Sequence, residues 1–138
     1  MPTTWKPESY NSVSVYIVAD NAQQLIDFVK KTFDGADLRR FDMPDGKIMH
    51  AEVRVGDTVV MIADAGGASP AFPVWLHVYV PDAQATYKKA LAAGGASVQE
   101  PVHKPGGPDL RGGVKEFSDF PRDQGKVERA KLGRRFDL

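Results

Sequence analysis

The chain predicts an α+β fold made of a duplicated βαβββ unit. Three observations carry that expectation: runs with strand-type alternation, a capped helical stretch after the opening strand of each half, and matching segments 60 to 62 residues apart. Val18-Ala-Asp20-Asn-Ala-Gln-Gln answers to Val80-Pro-Asp82-Ala-Gln-Ala, and Gly35-Ala36 answers to Gly95-Ala96. Two such units make one domain over residues 1–138, since each half-sheet alone keeps an unclosed edge. The first module spans 13–64 and the second 74–117, followed by an atypical basic tail over 118–138.

The first module opens with Val13–Ala19, β-branched and alternating, hence a strand. Asp20 is the expected N-cap of a helix over 22–33, because Leu25, Ile26, Val29 and Phe33 recur at helical spacing, Lys30 and Lys31 fill the last turn and Gly35 stops it. Residues 37–43 resume as a strand, and Pro44-Asp45-Gly46 turns into a hairpin. Its two strands, Lys47–Val55 and Thr58–Ala63, flank the turn pair Gly56-Asp57. Alternation puts Ala51, Val53 and Val55 on one face of this hairpin and His50, Glu52 and Arg54 on the other. The first face is core. The second is either a solvated face or the polar part of a site.

Ala65–Pro73, rich in Gly, Pro and small residues, links the halves. In the second module Val74–Val80 is the expected first strand, Asp82 caps a helix over 83–93, Gly94-Gly95 ends it and Ala96–Val102 extends again. Pro105–Gly113 reads as a loop and Val114–Phe117 as a third strand. The fourth strand is missing or replaced: residues 119–138 hold Pro121, Gly125, Gly133 and dense charge, with at most a helical piece near 126–132.

Composition excludes several classes of function. Eighteen basic residues balance eighteen acidic ones, which argues against a nucleic-acid or membrane-surface partner for the whole chain. The imbalance is local, six basic against three acidic residues over 122–138, and the bland reading of such a tail is a solvated one. No cysteine is present, which removes disulfides, thiolate nucleophiles and Cys-rich zinc sites. The N-terminus lacks a signal-peptide pattern, and no apolar run approaches the ~20 residues of a membrane span, so the expectation is a soluble, cytoplasmic protein.

Five pieces in order, Val18-Ala-Asp20 with Ile26–Val29 and Thr32–Ala36, then Met43–Glu52, Val60–Asp64, Val78–Asp82 and Arg111–Lys115, resemble the vicinal oxygen chelate superfamily. That family includes glyoxalase I, extradiol dioxygenases and bleomycin-resistance proteins, and the similarity is greatest to its PhnB-like or glyoxalase-like bacterial branch. The resemblance implies a curved mixed sheet around a cleft, often completed across a homodimer. It also implies a divalent ion in the metal-dependent members. Carried over by position, the four ligand places fall at Val13, at Glu52, near Trp75 and on the missing last strand, so one donor survives and no metal or other cofactor is expected. The alternative is a displaced divalent-metal site of His50, Glu52 and His77, a 2-His-1-carboxylate set. His103 reads as a surface residue.

The same cleft suggests a small-molecule pocket. Val74, Leu76, Val78 and Val80 form a stripe expected to pack under the second helix, which turns Trp75, His77 and Tyr79 toward the cleft. Val13, Val15 and Ile17 would face it from the first strand, with His50, Glu52 and Arg54 as its polar groups. The competing reading makes these aromatics plain core or dimer-interface filling. The expected function is metal-independent binding of a partly apolar or aromatic ligand by a homodimer. Trp75 and Tyr79 would stack, His50, His77 and Arg54 would orient, and Glu52 would be the one credible general base. The alternatives are a metal-dependent lyase, isomerase or dioxygenase, and a nucleic-acid or partner contact through the tail.

Overall fold

A computed structural model describes residues 5–103 and 110–115 of the chain. The protein is α+β, and it divides into two compact units between Pro73 and Val74. The expectations placed on 105–109 and on 116–138, including the end of module 2 and the basic tail, lie outside the described residues.

Unit 1 contains β1 (Tyr16–Ala19), α1 (Ala22–Phe33), β2 (Ala36–Asp42), β3 (Ile48–Val55) and β4 (Thr58–Asp64), the βαβββ order expected. Its sheet runs β1-β4-β3-β2, with β1 parallel to β4 and the other pairs antiparallel. The Gly56-Asp57 turn closes the β3–β4 hairpin, with Val55 opposite Thr58 and Gly56 at φ 57°, a left-handed value that glycine adopts without strain.

Helix α1 buries Leu25, Ile26, Phe28, Val29 and Thr32, the stripe its periodicity dictates, against β1, β3 and β4. Its N-cap is Asn21 rather than Asp20. Asn21 sits at φ 71°, which a short carboxamide tolerates, and its side chain accepts from the Gln24 amide at 3.3 Å. A second cap comes from across the sheet, where Asp64 Oδ1 accepts from the Ala22 amide at 2.8 Å and Oδ2 from the Ile48 amide at 2.7 Å. One carboxylate thus ties the start of the helix to the start of β3. At the far end Asp34 takes the left-handed turn (φ 53°) and the Gly35 amide donates to the Lys30 carbonyl at 3.1 Å. Gly35 is needed for space instead: a Cβ there would stand 2.7 Å from Val53 Cγ1.

Unit 2 contains α2 (Ala83–Ala92), β5 (Ala96–His103) and β6 (Leu110–Lys115), with β5 and β6 antiparallel under α2. Asp82 is the N-cap, accepting from the Ala85 amide at 3.0 Å. Two expectations are corrected here. The loop expected through Gly113 ends earlier, because Leu110–Gly113 already pairs with β5, and Gly112 leaves room for the Pro101 ring that would crowd a Cβ at 3.1 Å. Residues 74–80 form no strand element among the described residues, although His77 marks a single bridge. A strand needs a ladder: β1 has β4 beside it, whereas the equivalent partner in module 2 would follow Lys115, outside the described residues. Alternation still orders the segment, with Val74, Leu76, Val78 and Val80 half-buried and Trp75, His77 and Tyr79 exposed.

Candidate functional site

Register decides which side chains share the face of the unit 1 sheet turned away from α1. Val53 lies against Gly35 at the end of α1, so its partner Val60, and with them Ala51, Ile62 and Ile17, belong to the helix side. The opposite face collects His50, Glu52 and Arg54 from β3, Met61 from β4, Tyr16 from β1 and Phe41 from β2. His50, Glu52 and Arg54 therefore share a face as expected. Ile17 does not join them; strand pairing exchanges the parity on β1, and Tyr16 takes the place expected of it.

The centre of this face is Glu52, only 5% exposed. Its Oε2 lies 2.8 Å from His50 Nε2, and its Oε1 accepts from the Tyr10 hydroxyl at 2.5 Å. Burial pushes the Glu52 carboxyl upward, but the hydrogen bonds from His50 and Tyr10 outweigh it and hold the group below its ordinary value of 4.5. Tyr10 shifts the other way, above 10.0, chiefly because its proton is held on the carboxylate. With Glu52 ionised, the contact is satisfied by His50 donating its Nε2 proton to the carboxylate. The rings of Tyr16 and Phe41 stand beside the imidazole at centroid distances of 5.7 and 6.5 Å, and both are partly exposed. A hydrogen-bonding group set between aromatic surfaces is suited to holding a planar or apolar ligand.

The segment before β1 completes the arrangement. Arg54 Nη1 donates to the Ser9 carbonyl at 2.8 Å, Asn11 Nδ2 donates to Thr58 Oγ1 at 3.1 Å, and the Arg39 guanidinium lies 5.7 Å from the Tyr10 ring centre. Arg54 thus braces the chain that presents Tyr10. Val13, 82% exposed, and Val15, half-buried, both precede β1. In unit 2, His77 and Tyr79 pack ring to ring at 4.7 Å and line a cavity of about 470 Å³ together with Asp82 and Arg111. Trp75 is 47% exposed. Tyr10, Tyr16, Phe41 and Arg39 were not singled out from the sequence. The parity of Tyr16 and the aromatic in β2 were the available signals, but only pairing shows that they converge on His50.

The family's ion needs several N or O donors. Within unit 1 the family positions bear Val13, which has no donor, and Glu52, whose two oxygens are already engaged by Tyr10 and His50. The donor set there does not fit such an ion. Among the described residues no group of three or more His, Cys, Asp or Glu side chains is gathered as a metal cluster.

Comparison with known proteins bears on the fold and on descent. The chain is 37% identical over 98 residues to the uncharacterized proteins Mb0911c of Mycobacterium bovis and MT0910 of Mycobacterium tuberculosis, a match over 63% of this chain. It spans 64% and 58% of the lengths of those relatives. TioX from Micromonospora sp. ML1 superposes with a TM-score of 0.55 at 24% identity, over 78% of this chain and 96% of TioX. The PhnB protein from Bacillus cereus, described as a putative 3-demethylubiquinone-9 3-methyltransferase, superposes at 0.57 with 13% identity, over 78% of this chain and 93% of its own. At these identities the structural likenesses show the fold alone. The family model matches residues 11–110, from the Tyr10 segment's end to the first residue of β6, and on that match the chain belongs to the glyoxalase/bleomycin resistance protein/dioxygenase superfamily.

Proposed function

We propose that the protein binds a small, partly apolar or aromatic molecule without a metal, as a homodimer. The observation that supports this reading is the face around His50, where a buried, doubly hydrogen-bonded carboxylate orients an imidazole between the partly exposed rings of Tyr16 and Phe41. Glu52 acts as a fixed acceptor in this reading. A base role would require it to give up one of its two bonds. Trp75, His77 and Tyr79 offer further aromatic surface in unit 2, and β2 is an outer strand of its sheet with no strand paired beyond it among the described residues, the kind of edge a second chain covers.

The test is binding of a panel of aromatic compounds read by tryptophan fluorescence, run beside metal analysis of protein purified without chelators. Saturable binding in metal-free protein, weakened by His50→Ala, is the expected result. Stoichiometric divalent metal that disappears in Glu52→Gln would overturn it in favour of a metal-dependent lyase, isomerase or dioxygenase that uses Glu52.

A further inference from the structure

The protein holds an aromatic hydroxyl on Glu52 already, and it is its own. Tyr10 donates its phenol proton to Glu52 Oε1 at 2.5 Å, while the Arg39 guanidinium lies 5.7 Å from the ring centre. A carboxylate at the hydroxyl and a cation over the ring are two contacts that together distinguish a hydroxyaryl group from a plain aromatic ring or an aliphatic alcohol. The segment that brings Tyr10 there lies outside every strand. Residues 9–11 are held to the sheet by side-chain bonds, Arg54 to the Ser9 carbonyl, Asn11 to Thr58 and Tyr10 to Glu52; the Tyr10 amide donates locally to the Pro7 carbonyl at 3.3 Å, and a backbone bond to β4 comes only at Val15, whose carbonyl accepts from the Met61 amide at 3.0 Å. Ser9 itself sits at φ 66°, a left-handed conformation uncommon for a residue with a Cβ. Residues 9–11 can therefore leave without breaking a rung of the sheet ladder.

We infer that Tyr10 is the built-in occupant of a hydroxyaryl subsite, and that the ligand of this face carries a phenol group which displaces Tyr10 and takes its place on Glu52. This rests on the small-molecule reading above and narrows it to one chemical class. It also makes Tyr10 a competitor: the apparent affinity for a phenol is lowered by the fraction of molecules in which the tethered ring is seated. Removing the ring should raise affinity, and removing the carboxylate should remove the preference for a hydroxyl.

The test uses the full chain and two probes of similar shape, 4-nitrophenol and nitrobenzene, titrated by fluorescence and absorbance into wild type, Tyr10→Phe, Tyr10→Ala and Tyr10→Ala with Glu52→Gln. The expected result is 4-nitrophenol binding about tenfold tighter to Tyr10→Ala than to wild type, with Tyr10→Phe between them. The preference over nitrobenzene should fall by about tenfold or more when Glu52→Gln is added, the scale of a hydrogen bond to a charged group. Equal binding of the two probes by every variant overturns the hydroxyaryl assignment and leaves the apolar-ligand reading standing. Binding of neither probe, nor of the wider aromatic panel, overturns both. If Tyr10→Ala fails to fold, Tyr10→Phe carries the same comparison, and an affinity for 4-nitrophenol unchanged from wild type counts against the assignment.

Discussion

The two helices occupy corresponding places in the two modules, yet they bury different chemistry. Counting from the first helical residue, Ala22 in α1 and Ala83 in α2, the buried positions Leu25, Ile26 and Val29 correspond to Thr86, Tyr87 and Ala90. The same helical face turns inward in both, so the period is a property of each local sequence. What differs is the apolar content. Leu25, Ile26 and Phe28 make α1 a core element, whereas α2 relies on smaller or polar groups that must find partners, Thr86 on the Asp82 carbonyl at 2.9 Å and Tyr87 on Ser97 Oγ at 2.5 Å. A duplicated pattern therefore conserves direction of burial without conserving its strength.

That contrast is open to direct attack. The largest effect is expected at Leu25→Ala, which should lower stability by about 2–5 kcal/mol in denaturant unfolding, while Thr86→Ala at the corresponding site should cost no more than about 1 kcal/mol. Comparable losses at the two sites would show that α2 is as deeply held as α1. Gly35→Ala comes next: a methyl group 2.7 Å from Val53 Cγ1 must push the helix end off β3, an overpacking effect of about 1–3 kcal/mol visible in thermal melts. Tyr87→Phe should cost about 0.5–1.5 kcal/mol through its lost bond to Ser97, and amide exchange should quicken in α2 while α1 is unchanged.

The smallest and most specific effect concerns pH. Glu52 has a folded-state value below its ordinary 4.5, so its contribution to stability is complete above that ordinary value. It is lost as pH falls from there through the lowered one, because the unfolded chain takes up the proton first. Melting temperature should therefore drop less steeply on acidification in Glu52→Gln than in wild type. Tyr10 works at the opposite limit, since a value raised above 10.0 adds stability that fades as pH climbs past that point. Identical acid limbs for Glu52→Gln and wild type would mean that the carboxylate is no better held in the folded chain than in the unfolded one.

Much of the frame was legible in the residues. The bounds of α1, the Gly56-Asp57 hairpin, the Asp82 cap and the helix of module 2 follow from spacing, capping chemistry and turn residues that act within a few positions of one another. Where two adjacent residues offered the same chemistry, as Asp20 and Asn21 do, sequence chose the wrong one, because the backbone conformation at the cap settles the matter. The site was half legible. His50, Glu52 and Arg54 share a face by simple alternation on one strand. Tyr16 and Phe41 come to that face through pairing with strands distant in the chain, and Tyr10 through a segment with no regular structure at all.

By itself, then, the sequence determined which stretches are helix and which are hairpin, the α+β class, and the sorting of side chains within each strand, because these depend on neighbours a few residues apart. Only the tertiary structure decided the parity of β1 relative to β3 and the lack of a ladder beside residues 74–80 among the described residues. It also decided that Asp64 caps both α1 and β3, and that Glu52 spends both its oxygens on Tyr10 and His50. Each of these is a pairing between groups remote in the chain, and the energy of such a pairing exists only once folding has brought the partners within hydrogen-bonding distance.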